Sequence, residues 1–374
     1  PPTVPIPRTE ENWQQLDRVS YAVSNQNYAA NFEDFLDENT EGKPFCFWYG
    51  AFEPHRSYRK GAGIEIGLKM SELEIPDFLP DVPEVRQDFL DYMYEIMWFD
   101  AHLDRMIDML EKRGMLENTI IIVTADNGMP FPRAKANLYE YGILMPLAIS
   151  WANKIPKGRE VDDLISFADF APTILELTGV KIPKTTYPMV GKSFARILFS
   201  EQQGIIEPKR NAVYASREQH GHARYNDAGY PQRSIRTHDY LYIRNYKPKR
   251  WPAGAPHVIN ENGELELELR GFYDIDDYHM DYSWLNRENP SVKPYYELAV
   301  AKRPYEELYS IKNGDKDCLN NLVNNSEYNQ ALDSLRIQLD EYLRSTNDPR
   351  TTENGDILES YRKRNSINYP KTDN

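Results

Sequence analysis

The fold is decided by the stretch Thr119-Ile120-Ile121-Ile122-Val123-Thr124-Ala125-Asp126-Asn127-Gly128, an apolar run that ends abruptly in an acid, an amide and a glycine. A β-branched run without polar alternation is typical of a strand buried on both faces, at the centre of a mainly parallel sheet covered by helices. Ligands of such sheets bind beyond the carboxyl ends of the strands. We therefore expect Asp126 and Asn127 to hold a metal or an anion, on a turn that Gly128 permits.

The flanking stretches predict one α/β unit around this strand. Apolar residues recur at helical spacing from about residue 88 to residue 113, and Gly114 ends that helix. Lys135 lies nine positions after Asp126 in a loop that contains two prolines, and residues 144–151 predict another buried strand. The predicted fold class is thus α/β, with a mainly parallel central sheet flanked by helices.

A second aromatic run also leads into polar residues. Residues 44–52 predict a buried strand, in which we expect Cys46 to pack, and the chain continues into Pro54-His55-Arg56. Two strands of one sheet that present functional groups at their exits are typical of an active-site rim. Lys135, His55 and Arg56 would surround a tetrahedral oxyanion and stabilise its charge. His55 would also protonate a leaving oxygen or nitrogen, because the ordinary histidine pKa lies near working pH.

Composition narrows the class of protein. The chain has 374 residues, of which 40% are hydrophobic and 27% charged, as is ordinary for a globular protein. The net charge of −14 argues against nonspecific binding to nucleic acid or to an anionic membrane. No apolar stretch approaches the roughly 20 residues of a transmembrane helix. The two cysteines make neither a disulfide framework nor a zinc site.

A change of character near residue 210 predicts two domains. Short, tyrosine-rich runs that suit an antiparallel sheet occur at 211–216, 234–246 and 305–311, and a helical pattern follows at 326–343. We predict an α/β domain at 1–209 and a smaller α+β domain with an antiparallel sheet at 210–374.

A series of motifs resembles the sulfatases of the alkaline phosphatase superfamily. The motifs are Pro54-His55-Arg56, Asn118-Thr119, Thr124-Ala125-Asp126-Asn127-Gly128, residues 138–147 and residues 169–179. The match runs from about residue 44 to residue 180, with weaker agreement through 307–309 and 315–322. Within that family, residues 126–132 followed by Asn137-Leu138-Tyr139 look most like the heparan N-sulfatases, or sulfamidases.

The resemblance implies hydrolysis of a sulfate ester or a sulfamate at a Ca²⁺ site, with a formylglycine nucleophile made from Cys or Ser. Asp126 and Asn127 match two metal ligands, His55 matches a histidine near the leaving group, and Lys135 matches a basic residue on the sulfate. Sulfamidases tend to have Arg at the last position, so Lys135 keeps the charge but loses the bidentate fork.

The resemblance also implies a substrate and a setting. The substrate would be a sulfated sugar or a glycosaminoglycan of the heparan type, and the enzyme would act in the periplasm, outside the cell or in a lysosome. The sequence leaves the oligomeric state open, a homodimer included.

The nucleophile is the main departure from the family. The motif Cys/Ser-x-Pro-x-Arg occurs nowhere in the sequence, and the paired aspartates that complete the calcium site are not identifiable. We expect a sulfatase chain that lacks its N-terminal segment and does not turn over by itself. Three alternatives stay open: an O-sulfatase, a phosphoryl-transfer relative of the same fold, and a noncatalytic glycan-binding protein.

One loop of the smaller domain is a candidate for glycan binding. Glu218, His220 and Arg233 offer hydrogen bonds to a sugar, and Tyr230 offers a stacking face. Arg233 would pair with an acidic group on the glycan.

Overall fold

The structure is a computed structural model, and it describes residues 23–24, 26–39, 41–181, 189–257, 262, 264–266, 272–275, 289–352 and 355–360. The chain divides into two compact units. The first comprises Pro1–Ile121 and Asp277–Tyr296, and the second comprises Ile122–Asp276 and Glu297–Asn374. The predicted domain boundary at residue 210 stays a prediction. Within the described ranges, no helix is long and apolar enough to cross a membrane.

Helices form the core of the first unit. They are α1 at Tyr28–Glu38, the short α2 at Ala62–Glu65 and the long α3 at Pro83–Lys112. The predicted long helix is confirmed: it begins at Pro83, where a missing N–H costs nothing, and ends before Gly114, whose φ is +65°. Apolar side chains of α1 and α3 pack together, namely Tyr28, Ala29, Phe32, Leu36, Met106 and Leu110.

The aromatic run at 44–52 is not the buried strand that we predicted. No strand is assigned there, and exposure alternates along the segment. Phe45, Phe47, Tyr49 and Ala51 pack on the core of α1 and α3, whereas Trp48 is 85% exposed. The segment is extended with one apolar face inward, so only half of its side chains are covered. Cys46 is on the exposed side, and the buried cysteine is Cys318.

The stretch that decides the fold does form a strand. β1 spans Ile120–Thr124 and pairs with β2, Leu147–Trp151, after the short helix α4 at Glu140–Ile143. The predicted burial on both faces is wrong, because all five residues of β1 are half-buried and β2 is largely exposed. Only β2 pairs with β1 among the described residues. The mainly parallel central sheet therefore stays a prediction.

Two further helices follow β2 in the second unit, α5 at Phe170–Leu177 and α6 at Ala195–Leu198. Asp169, the first residue of the motif at 169–179, comes directly before α5 and is 6% exposed. Its carboxylate accepts hydrogen bonds from the backbone N–H of Lys192 at 2.7 Å and from the Arg210 guanidinium at 2.9 Å. This motif residue therefore stabilises the packing of the chain after β2.

The predicted antiparallel sheet is confirmed in the second unit. Its strands are β3 at Ala212–Arg217, β4 at Gln232–Thr237, β5 at Tyr240–Asn245 and β6 at Glu306–Ser310, in that order, and every neighbouring pair is antiparallel. The run predicted at 234–246 is thus a hairpin of two strands. Helix α7, Lys293–Val300, precedes β6, and helices α8, Asn329–Ser345, and α9, Ile357–Ser360, follow it. One face of the sheet packs on α8 through Ile235, Tyr242, Leu308, Leu332, Leu335 and Leu339.

Candidate active site

The acidic turn after β1 presents oxygen ligands at the surface. Asp126 and Asn127 are exposed, and the Asn127 side-chain Nδ2 donates to the Gly128 carbonyl at 2.9 Å. Among the described residues, no hydrogen bond is made to Asn127 Oδ1, which is a possible oxygen ligand for a cation. The Asp126 carboxylate has no protein partner among the described residues. Both groups are hard oxygen donors on one short turn.

Gly128 is required by a close approach of two backbone segments. A Cβ at this position would lie 2.2 Å from the Tyr141 carbonyl oxygen and 2.8 Å from the Gly142 Cα. A Cβ on Gly142 would in turn lie 2.2 Å from the Asn137 carbonyl oxygen. The turn that carries Asp126 and Asn127 is thereby packed directly against the start of α4.

Lys135 lies in a tightly folded loop at residues 129–137, the Lys135 loop, next to this turn. Its backbone N–H donates to the Met129 carbonyl at 3.1 Å, and its own carbonyl accepts from Asn137 Nδ2 at 3.0 Å. Arg133, two residues before Lys135, and Ala136, the residue after it, have φ of 65° and 61°, a region that non-glycine residues rarely adopt. The loop therefore folds back on the residue that follows Gly128, and it keeps Lys135 half-buried beside the acidic turn.

A buried polar network supports the loop. The Arg133 guanidinium donates to the Cys318 carbonyl at 2.7 Å and to the Leu298 carbonyl at 3.2 Å, and it stacks 4.0 Å from the centre of the Tyr139 ring. The Tyr139 hydroxyl donates to Glu307 Oε2 on β6 at 2.8 Å. Burial raises the pKa of the Tyr139 phenol to about 12, so it remains a donor at every physiological pH.

The donors on the acidic turn fit Ca²⁺ in kind but not in number. Ca²⁺ takes about six to eight oxygen ligands, and the turn offers Asp126 and Asn127. In the part of the chain that the structure describes, no group of three or more His, Cys, Asp or Glu side chains surrounds a common point. Calcium at this turn would need further oxygen ligands besides Asp126 and Asn127.

The two predicted residues of the first unit have different surroundings. His55 is exposed, and its Nδ1 lies 2.6 Å from the Arg56 carbonyl oxygen. The Arg56 guanidinium makes a bidentate pair with Asp88 on α3, at 2.9 and 2.5 Å, and its side chain is only 4% exposed. Arg56 thus ties the loop after residue 52 to α3, and its predicted contact with substrate stays a prediction.

The predicted glycan-binding residues Glu218 and Arg233 contact each other. Arg233 Nη2 lies 2.7 Å from Glu218 Oε1, and its Nε donates to Asp348 at 2.7 Å. Arg350 donates to the other oxygen of Glu218 at 2.6 Å. The Arg233 side chain is only 5% exposed, and these ion pairs hold it inside the second unit. Its pairing with an acidic glycan group stays a prediction.

His220 belongs to a separate ion cluster of the second unit. Its Nδ1 lies 2.9 Å from Asp274 Oδ1, while Asp274 Oδ2 accepts from both Arg217 and Arg224 at 2.5 Å. Burial would raise the pKa of Asp274, but Arg217, His220 and Arg224 outweigh it and hold that pKa well below its usual range. The His220 side chain remains about one-third exposed, so it can contact a ligand from this cluster.

Two protein-family models match parts of the chain. A model described as Sulfatase matches residues 4–180, and a model described as N-sulphoglucosamine sulphohydrolase, C-terminal, matches residues 133–252. The second match begins inside the Lys135 loop and runs through β3, β4 and β5. Together the two models match residues 4–252, so this part of the chain is similar to sulfatases. The resemblance to sulfatases of the sulfamidase type is thus confirmed.

Individual sulfatases are similar to the chain over most of its length. It is 28% identical over 313 residues to an ulvan-active sulfatase of Formosa agariphila, a match that covers 83% of the chain and 47% of that protein. It is 25% identical over 293 residues to the N-sulphoglucosamine sulphohydrolase of Homo sapiens, covering 76% of the chain and 53% of that protein. The chain therefore spans about half the length of these curated relatives.

Solved sulfatase structures share the fold. A Bacteroides fragilis protein described as a sulfatase has a TM-score of 0.60 at 18% identity, covering 88% of the chain and 61% of its own. A Bacteroides thetaiotaomicron sulfatase has a TM-score of 0.59 at 18% identity, covering 89% of the chain and 60% of its own. These matches concern the fold alone.

Sequence reasoning missed the residues beneath the Lys135 loop. These residues are Arg133, Tyr139 and Glu307. Glu307 is far from the other two in sequence, and Arg133 stands in a stretch with the composition of an ordinary loop. The order of residue types therefore does not show that the three side chains are buried together. One signal was available in the sequence. Arg133 stands among apolar residues, and an arginine that is buried in such surroundings usually has a partner.

Proposed function

We propose that this chain is part of a calcium-dependent sulfatase that removes sulfate from N-sulfoglucosamine in heparan-type glycans. The observation that carries the proposal is the Lys135 loop, which is bonded back to Met129 directly after the Asp126-Asn127-Gly128 turn. A lysine on a backbone-bonded loop next to two hard oxygen donors suits a sulfate group that is bound by both the lysine and a metal ion. The relation to the human N-sulphoglucosamine sulphohydrolase supports the choice of an N-sulfate.

Each proposed residue has one task. Lys135 binds a sulfate oxygen and offsets the charge that grows there as the bond to the leaving group breaks. Asp126 and Asn127 bind Ca²⁺, which supplies further neutralisation of that charge when it is bound. His55 gives a proton to the leaving nitrogen, so that an amine rather than an amide anion departs.

The nucleophile of the proposed reaction is a formylglycine from outside these 374 residues, since the sequence contains no Cys/Ser-x-Pro-x-Arg motif. Substrates of this kind are extracellular polymers, so the proposed setting is the periplasm, the cell exterior or a lysosome. The similarity to the Formosa agariphila ulvan-active sulfatase supports a second candidate, an O-sulfatase of another glycan.

Sulfate release from a panel of substrates separates these candidates. The natural protein that contains this chain is incubated with glucosamine N-sulfate, N-acetylglucosamine 6-O-sulfate, ulvan oligosaccharides and p-nitrophenyl phosphate, and the anions released are measured by ion chromatography. Preferential release from glucosamine N-sulfate is expected. Release from an O-sulfated sugar alone would favour the second candidate, and release of phosphate alone would refute both.

A further inference from the structure

The carboxylate of Glu307 lies inside the second unit, far along the chain from the acidic turn. We propose that Glu307 is a positioning residue for Lys135 and that it acts through Tyr139 and Arg133. The inference deepens the proposed function and rests on it for the role of Lys135. It assigns to β6 of the antiparallel sheet a part in binding sulfate.

Glu307 is held by three donors. It is 2% exposed, and its Oε2 accepts from the Tyr139 hydroxyl at 2.8 Å and from the Tyr309 hydroxyl at 2.6 Å. Its Oε1 accepts from Asn245 Nδ2 at 2.7 Å. Asn245 on β5 in turn accepts from Gln232 on β4 at 2.7 Å, which fixes the amide that donates to the carboxylate. A buried carboxylate with this many satisfied bonds cannot shift without breaking one of them.

Tyr139 connects the fixed carboxylate to Arg133, because its hydroxyl bonds to Glu307 and its ring contacts the Arg133 guanidinium. The Arg133 guanidinium stacks on the Tyr139 ring, and its N–H groups donate to the backbone carbonyls of Leu298 and Cys318. Arg133 is 3% exposed, so a guanidinium released from these contacts would be buried without partners. The position of the Tyr139 ring therefore decides the position of Arg133.

Arg133 in turn determines the backbone that carries Lys135. Arg133 and Ala136 keep positive φ, a costly conformation that persists only where surrounding contacts impose it. In the same loop, the Lys135 N–H donates to the Met129 carbonyl and the Asn137 N–H donates to the Ala134 carbonyl, each at 3.1 Å. If the Tyr139 ring moves, the contacts that impose positive φ weaken and Lys135 loses its fixed place.

The chain offers a matched control for this argument. Glu306 is the preceding residue of β6, and it faces α8, where it accepts from Arg336 at 2.7 Å and from the Tyr242 hydroxyl at 2.5 Å. Glu306→Gln removes the same charge from the same strand but touches no residue of the Lys135 loop. Tyr139→Phe is the milder test variant, because it retains an aromatic ring but removes the hydroxyl that fixes the ring to Glu307.

The experiment compares wild type, Glu307→Gln, Tyr139→Phe and Glu306→Gln in the full chain. Hydrogen exchange of the peptide covering residues 133–137 measures loop order, and limited acetylation of Lys135, read by mass spectrometry with and without glucosamine N-sulfate, measures its contact with the sulfate. We expect Glu307→Gln and Tyr139→Phe to accelerate exchange in 133–137 and to weaken the protection of Lys135 by about tenfold. Glu306→Gln should leave both measurements at the wild-type value, whatever its effect on stability.

Two outcomes separate this inference from the function on which it rests. Exchange and protection that are the same in Glu307→Gln, Tyr139→Phe and Glu306→Gln would overturn the positioning role. The other outcome is faster exchange in the test variants but no protection of Lys135 by the sugar, even in wild type. That result would refute the contact between Lys135 and sulfate, and with it the role of Glu307 in positioning that contact. In that case the link between Glu307 and the loop would be structural only.

Discussion

The carboxyl group of Glu95 should make the first unit less stable as pH rises. Glu95 lies on α3 and is 2% exposed, and burial, followed by the charges of Glu53 and Asp91, raises its pKa to about 8 from an ordinary 4.5. Between these two values the folded state binds a proton that the unfolded state has released. The stabilisation is therefore complete below pH ~4.5 and is lost as the pH rises through about 8.

The size of the effect follows from the pKa shift. A pKa raised from 4.5 to about 8 corresponds to about 5 kcal/mol of unfolding free energy at most, at about 1.4 kcal/mol for each pKa unit. Glu95→Gln keeps the shape of the side chain and removes the titration. We expect the variant to be more stable than wild type by a few kcal/mol at about pH 8, and the difference to shrink toward pH 5.

Urea unfolding followed by circular dichroism at several pH values between about 5 and 8 measures the difference. Glu111→Gln is the control, because it makes the same substitution at an exposed residue of the same helix. Hydrogen exchange of α3 shows whether the change lies in the first unit. Parallel stability profiles for wild type and Glu95→Gln would refute the reasoning.

Two further substitutions test the contacts that support the candidate site. Gly128→Ala places a Cβ 2.2 Å from the Tyr141 carbonyl oxygen, so it should lower the free energy of unfolding by about 1–3 kcal/mol. It should also weaken calcium binding, which calorimetry measures. Unchanged calcium affinity would contradict the role of the turn. Asp88→Ala leaves the Arg56 guanidinium buried without its carboxylate, and the expected loss is about 3–5 kcal/mol in urea unfolding. A loss below about 1 kcal/mol would mean that the pair is effectively solvated.

Sequence patterns predicted the elements whose signal is local. Helix α3 was predictable from apolar spacing and from Gly114, and the antiparallel sheet from short tyrosine-rich runs. The strand at 120–124 was also predictable, because a β-branched run has few other conformations available. The motifs around Asp126 placed the acidic turn at the end of that strand before any contact was known.

Burial and partners were not predictable, since they depend on contacts between residues distant in sequence. The run at 44–52 contains aromatic residues at both odd and even positions, so composition alone predicted complete burial, whereas only one side of it packs on helices. Arg233 was predicted as a glycan ligand, but Asp348, which pairs with it, lies 115 residues away. The support of the Lys135 loop by Glu307 on β6 is a long-range contact of the same kind.

The most direct test of the account is sulfate release from glucosamine N-sulfate by the natural protein, measured for wild type, Lys135→Ala and Lys157→Ala, with and without a calcium chelator. Lys157 is an exposed lysine of the second unit and controls for the loss of charge. The account predicts that Lys135→Ala lowers the rate by about 100-fold or more, that the chelator abolishes release, and that Lys157→Ala behaves as wild type. Release that persists unchanged in Lys135→Ala, or no release from wild type, would contradict the central claim.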